Sequence, residues 1–246
     1  IGGLGVVTIM SGLMILLHKK MGINDRLLLQ DAFNLNSLSG LVRFVKKVVI
    51  GTLVIEGIGA LLYMTVFIPD FGSKGIWISI FTSISAFCNA GIDIIAENSL
   101  CDYALNPMVN TVTCFLIVIG GIGYIVWWDI IRVIKNIRQN KRKIFGNLTL
   151  HSKIAIISTL LLIIVGAILV FVLEYDNPQT LKDYTLLQKI EVSFFQSVTT
   201  RTAGFATLPQ ENLTNATAVV CLLLMFIGGS PVGTAGGIKT VTFAVI

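Results

Sequence analysis

Three apolar runs of bilayer length, at 48–68, 111–131 and 154–173, constrain this chain more than anything else in it. About 20 residues at 1.5 Å each reach roughly 30 Å, the thickness of a hydrocarbon core. A backbone crossing lipid has to satisfy its own hydrogen bonds, so each run is read as a spanning helix. Composition agrees: 13% of the residues are charged and the mean hydropathy is +0.86, where a soluble domain carries about 25% charge. The expected fold is an all-α integral membrane protein with the lipid bilayer as its first partner. The net charge of +5 then belongs to cytoplasmic connections rather than to nucleic-acid binding.

Two further apolar pieces, 75–88 and 190–198, are too short to cross and are read as re-entrant half-helices. Each runs into a polar, glycine-centred loop. The first is Asn89-Ala90-Gly91-Ile92-Asp93 and the second Ser197-Val198-Thr199-Thr200-Arg201-Thr202-Ala203-Gly204-Phe205. With Gly91 set on Gly204, Phe81 falls on Phe194 and Ala90 on Ala203. A dehydrating cation needs oxygens at fixed distances, and the carbonyls of a short extended loop supply them. The glycines admit backbone conformations that other residues avoid. The half-helices turn their negative ends toward the ion, which favours a cation. Ordinary turns between interfacial helices would explain one such loop but not two in register.

Charge sets the orientation. The connections at 18–47 and 132–153 hold thirteen Lys and Arg and two acids, whereas those at 68–107 and 174–212 hold four Lys and Arg and nine acids. The first pair is cytoplasmic by the positive-inside rule, and both loops open outward. Ile1-Gly2-Gly3-Leu4-Gly5, Ile119-Gly120-Gly121-Ile122-Gly123 and Ile227-Gly228-Gly229 recur at intervals of 118 and 108 residues, and the loops lie 113 apart. The repeating unit is helix, outer half-helix, loop, helix. Residues 1–20 end a first unit, 44–135 form a second and 150–246 a third, cut in its broken second helix. Incomplete rings leave polar backbone facing lipid, so about four units are expected in a complete protein, and both chain ends read as cuts.

That break is Gly228-Gly229-Ser230-Pro231-Val232-Gly233-Thr234-Ala235-Gly236-Gly237-Ile238-Lys239, which cannot form a continuous helix. Irregular backbone at membrane depth lines a cavity or is buried, and a loop below a filter is placed to gate it. Close packing through small residues suits Gly120–Gly123 better. The stretch from Gly233 to Thr240 nearly matches a phosphate-binding loop, but Ile238 takes the second glycine's place and no soluble strand precedes it. Glu56 is mid-span and should face the bundle interior, either on a cation path or anchoring half-helix backbone. Asp93 and Glu97 sit where they would gather cations or simply be solvated. Arg201 braces its loop. Tyr124, Trp127 and Trp128 read as an interfacial belt. His18 and His151 have no ligand cluster, and Cys88, Cys101, Cys114 and Cys221 form no C-x-x-C pair. An enzyme would need clustered His, Asp, Ser or Cys at depth, and only Glu56 is deep, so no catalysis and no covalently bound cofactor are expected. A scaffold role leaves the paired loops unexplained.

The motif around Ser85-Ala86-Phe87-Cys88-Asn89-Ala90-Gly91-Ile92-Asp93, the one from Ser197 to Phe205, and the break from Phe226 to Thr240 resemble the Trk/Ktr/HKT superfamily of potassium transporters, in particular the bacterial membrane subunit of TrkH or KtrB type. The resemblance spans essentially the whole chain. It implies four helix–pore-loop–helix units around a pseudo-fourfold pore in the cytoplasmic membrane, with Gly91 and Gly204 as two of four filter glycines. Ions would bind near Asn89, Ala90, Gly91, Ile92 and near Thr202, Ala203, Gly204, Phe205. The gate would be the intramembrane loop of the third unit, with Glu56 and Arg201 supporting the pore. It also implies a homodimer on a separate, nucleotide-sensing RCK ring. Cys88 and Val232 depart from the family pattern, where polar and smaller residues are usual. Glycine at both visible filter positions favours potassium over a sodium-conducting or nonselective variant of the same architecture.

Overall fold

The computed structural model describes residues 41–96, 98–136 and 145–245. The end of the first unit, His18, Glu97 and the basic segment 137–144 lie outside the described residues. Two helices, α1 (Leu41–Phe71) and α5 (Leu150–Glu174), are long and apolar enough to cross a bilayer. Their outward faces carry exposed Leu53, Val54, Ile58 and Leu61 on α1, and Ile157, Leu160, Ile164 and Ile168 on α5. Such faces belong in lipid rather than water.

α1 continues through Pro69 and ends at Gly72, whose φ of +60° is left-handed. The chain then reverses so tightly that a Cβ on Gly75 would collide with the Phe67 carbonyl. The half-helix α2 (Lys74–Phe87) runs back along α1. Its 14 residues reach about 21 Å, short of a full crossing. After the first loop, Asn106 caps α3 (Pro107–Ile122): its side chain accepts from the amides of Met108 and Val109, at 3.1 and 3.2 Å. α4 (Tyr124–Lys135) follows.

The second set repeats this order. Thr149 caps α5, and its own amide and hydroxyl donate to the Asp129 carboxylate. The half-helix α6 (Leu186–Thr199) again has 14 residues. α7 (Asn215–Phe226) starts at the Thr214 cap, and after the glycine-rich break comes α8 (Thr240–Val245).

One packing device appears in both sets. Ser83 of α2 donates to the Glu56 carbonyl of α1 (2.7 Å), and Ser197 of α6 donates to the Ile163 carbonyl of α5 (2.8 Å). Three residues beyond each carbonyl stands a glycine, Gly59 or Gly166, where an added Cβ would strike the same serine and also Leu116 or Leu224. Each half-helix is therefore drawn against its spanning helix through a side-chain-free notch, and the second helix of the set closes over it. The core joins Tyr63, Phe67 and Phe87 to Phe195, Val198, Ala203 and Phe205, so it packs both loops from behind.

Two expectations need correction. The run 111–131 is not one continuous span: α3 and α4 meet at Gly123 with a bend of 95°. Gly123 has φ +93°, and a Cβ there would collide with the Pro231 carbonyl. The small residues at 120–123 thus make room both for the end of α2, whose Phe87 carbonyl a Cβ on Gly120 would strike, and for the distant loop at 228–239. Nor do Tyr124 and Trp127 form a belt. Tyr124 is buried, Trp127 stacks edge-on against Phe87 and Tyr124, and its indole N–H donates to the Ile119 carbonyl (2.9 Å). Trp128 lies under the Lys47 ammonium, 5.7 Å from its ring centre.

Candidate ion pathway

The two loops share a backbone signature. Asn89 and Gly91 have φ of +49° and +64°, and Thr202 and Gly204 have φ of +68° and +98°. Left-handed backbone thus falls at the glycine and two residues before it in both, as the alignment of Gly91 with Gly204 requires. Asn89 is of a type that tolerates this backbone, but the β-branched Thr202 does not adopt it cheaply, so its surroundings must hold it. The loops also touch. A Cβ on Gly91 would lie 2.6 Å from the Gly204 Cα and would collide with the Ala203 carbonyl oxygen. Residues 113 apart in the chain are therefore in backbone contact, which only glycine permits at Gly91.

A helix leaves its last four carbonyls without partners. Here the loops supply them. Ile84, Ser85 and Ala86 of α2 accept from the amides of Cys88, Ala90 and Asn89. In α6, Gln196, Val198 and Thr199 accept from Thr200, Arg201, and both Ala203 and Gly204, and the Thr200 hydroxyl reaches Gln196 and Ser197. Beyond each glycine a hydroxyl of the half-helix closes the loop: Ser85 donates to the Ile92 carbonyl and Thr199 to the Phe205 carbonyl. Between these limits, among the described residues, no hydrogen bond reaches the carbonyls of Asn89, Ala90 and Gly91 or those of Thr202, Ala203 and Gly204. Ile92 and Phe205 thus stand apart from the other expected ion ligands, because their carbonyls fasten the loop.

The break at 228–239 is wound on itself and fastened to the first set. Ile227 and Ile238 form a parallel bridge, Gly228 N–H donates to Ile238 (3.0 Å), and the Ser230 and Thr240 hydroxyls are 2.9 Å apart. The Lys239 ammonium closes onto the Ala235 carbonyl (2.8 Å). The amides of Ser230 and Thr234 donate to the carbonyls of Gly121 and Gly120, which the bend at Gly123 leaves without helical partners, and Tyr124 N–H donates to Val232. Gly229 and Gly233 lie so near the Gly121 carbonyl that a Cβ would be 2.7 and 2.8 Å from it. Val232 holds φ +61°, a strained state for a β-branched residue. Between this loop and the base of the two glycine loops remains a cavity of about 10 Å³ lined by Asn89, Val198, Arg201, Gly229 and Ala235 among others, room for a single water.

Glu56 is buried and faces the base of the first loop, its carboxylate 3.9 Å from the Cys88 thiol. Arg201 is buried, and its guanidinium donates to the Gly228 carbonyl (3.0 Å), so it joins the second loop to the break rather than opening into a pore. Asn89, with its amide oriented to suit its neighbours, donates to the carbonyls of Ala86 and Ile117 at 3.2 and 3.3 Å. Outside the membrane, burial first and then the carboxylates of Asp102, Glu211 and Asp93 push the Cys101 thiol above its ordinary value. Acids from both sets therefore gather at the outer mouth, and Glu211 was not singled out from the sequence. Nor were the hydroxyls of Ser85 and Thr199. Their signal is a hydroxyl in the last turn of an apolar half-helix.

The whole chain, residues 1–246, matches the TrkH family model, described as a cation transport protein. It is 40% identical over its full length to the Ktr system potassium uptake protein B of Bacillus subtilis and covers 53% of that protein. It is 39% identical, again over its full length, to the potassium/sodium uptake protein NtpJ of Enterococcus hirae and covers 52% of it. Among solved structures it is similar to the potassium transporter TrkH from Vibrio parahaemolyticus, with a TM-score of 0.69 at 15% identity, over 89% of this chain and 43% of that one. That likeness concerns the fold. The chain spans about half the length of the relatives it matches, and these are named for transport or uptake, not catalysis. On this evidence the chain belongs to the TrkH family of cation transport proteins.

Proposed function

We propose that this chain supplies two of four quadrants of a potassium-uptake pore, with residues 44–135 and 150–246 as its second and third units and 1–20 as the end of a first. The observation that carries the reading is the pair of loops with matched left-handed positions, glycines in contact and unpartnered carbonyls at Asn89, Ala90, Gly91 and Thr202, Ala203, Gly204. Carbonyls held against relaxation replace the hydration shell of a monovalent cation. Ile92 and Phe205 fix the outer edge of the filter, and Glu56 and Arg201 brace it. The loop from Gly228 to Lys239 is the gate: it fills the space beneath the filter to within about one water.

Potassium is the substrate this reading favours, since both visible filter positions are glycine and the B. subtilis relative is named for potassium uptake. Sodium is a second cargo to test, because the E. hirae relative is named for both ions. The protein would sit as a multi-pass protein in the cytoplasmic membrane, as a homodimer on a separate nucleotide-binding RCK ring, with no cofactor of its own. Tracer flux of the full-length protein in vesicles tests this. Uptake of potassium with sodium excluded is expected, and shortening 228–239 should raise it. A full-length protein that carries no potassium ends the reading, and unchanged flux after shortening ends the gate assignment.

A further inference from the structure

We propose that the loop at 228–239 is also a structural member of the filter, so that Thr234 and Thr202 act as positioning residues that couple ion selectivity to the state of the gate. This rests on the filter-and-gate reading above and adds to it a dependence of selectivity on the gate.

The last four carbonyls of α6 are all satisfied locally. In α2 only three are. The fourth, Phe87, accepts from the Thr234 hydroxyl at 2.8 Å, across 147 residues of chain. The second set makes its own link: Gly236 N–H donates to the Thr202 hydroxyl at 2.9 Å. A third bond runs from Arg201 to the Gly228 carbonyl. The loop thus grips both visible quadrants at residues within the filter or next to it.

Each grip holds something that does not hold itself. Phe87 immediately precedes the first filter loop, and without Thr234 its carbonyl is a buried acceptor with no donor. Thr202 is a non-glycine residue at φ +68°, a state that persists only where the surroundings over-determine it. A gate that moved away would release both. The filter with the gate withdrawn therefore has one more free carbonyl at its inner end and a slacker Thr202, and it discriminates less well between ions of different size.

The test compares Thr234→Val, Thr202→Val and Thr234→Ser in the full-length protein, each reconstituted from a monodisperse fraction. Potassium flux and the potassium-to-sodium ratio are read together. The valines remove one link each from the two visible quadrants, and serine keeps the Thr234 hydroxyl. Expected is a roughly two- to tenfold fall in the ratio for either valine, the range of one hydrogen bond, with higher flux, and a wild-type ratio for Thr234→Ser. Raised flux with an unchanged ratio in both valine variants overturns the coupling and leaves the gate intact. A wild-type protein that does not prefer potassium removes the filter reading, and the coupling with it.

Discussion

Substitution of Gly91 and Gly204, the two proposed filter glycines, should have unequal effects, and the inequality follows from their contacts. A Cβ on Gly91 would stand 2.6 Å from Gly204 Cα and 2.7 Å from its carbonyl carbon, besides colliding with the Ala203 oxygen. Those are backbone atoms that cannot rotate away, and the shortfall from ordinary contact is about 0.8 Å or more. Overlap of that kind costs about 1–3 kcal/mol, and a left-handed L-residue adds about 1–2. Gly91→Ser should therefore lose about 2–5 kcal/mol, a large share of a typical stability of about 5–15. On Gly204 the nearest atom to a new Cβ is Gly91 Cα at 3.3 Å, and the Ala90 oxygen is 3.9 Å away. There the penalty is almost wholly the backbone strain at φ +98°, about 1–3 kcal/mol. Gly204→Ser should fold, melt a few degrees lower and lose discrimination between potassium and sodium, while Gly91→Ser should give little folded protein. Thermal melts in detergent followed by competitive flux would measure both. Equal stability of the two variants would refute the close approach of the loops, and an unchanged ion ratio in Gly204→Ser would refute the filter assignment.

Gly123→Ala should cost about 2–4 kcal/mol from its left-handed φ and the clash with Pro231. It should raise potassium flux by unseating the gate, and flux at the wild-type level in folded protein would argue against that seat. Glu174, fully buried at the outer end of α5, accepts from Asn177 (2.7 Å), Thr180 (2.6 Å) and both the amide and hydroxyl of Thr214 (2.9 and 2.8 Å). Glu174→Ala should lower stability by about 3 kcal/mol or more, Glu174→Gln by less, with flux per folded molecule unchanged; melting curves decide. The raised Cys101 thiol keeps its thiolate fraction small at neutral pH. Maleimide labelling should be slow at pH 7 and still accelerating above pH 9, and Glu211→Gln should speed it. A rate that levels off near pH 8 would contradict the acidic mouth.

The half-helices and their loops were legible in the sequence because their signals are local: an apolar piece too short to cross, then a polar loop with glycine. The turn at Gly72 was legible for the same reason. The break at Gly123 was not. The run 111–131 is continuously apolar, and what bends it, the Val232 carbonyl receiving Tyr124 N–H, lies more than a hundred residues away. The burial of Tyr124 and Trp127 follows from that bend, since it turns the start of α4 into the core instead of toward headgroups. The unequal crowding of Gly91 and Gly204 was invisible too, because an alignment treats them as equivalents and only the packing of one loop against the other separates them. Arg201 is expected from the sequence to brace its own loop; the bond its guanidinium makes, to the Gly228 carbonyl across 27 residues, needed the fold.

The requirement that buried backbone be hydrogen-bonded connects these features. Among the described residues two helices break within apolar sequence, and each break frees amides and carbonyls that lipid cannot satisfy. The breaks meet: Gly120 and Gly121 carbonyls take the Ser230 and Thr234 amides, and Tyr124 returns its amide to Val232. Neither break is stable alone, so the bend at Gly123 and the winding of 228–239 imply one another. The half-helix ends are closed in the same manner, by their own loops and by Thr234. On either side of the Gly91–Gly204 contact, the carbonyls of Asn89, Ala90 and Gly91 and of Thr202, Ala203 and Gly204 have no donor among the described residues, and they are bounded outward by the fastened carbonyls of Ile92 and Phe205. In the proposed reading these acceptors are the ones a cation takes up. Hydrophobic side chains cannot serve, and an anion would be repelled by the half-helix ends behind them. A partly dehydrated cation satisfies several fixed acceptors at once, which is why the proposed ion path is drawn through these carbonyls rather than through any charged side chain.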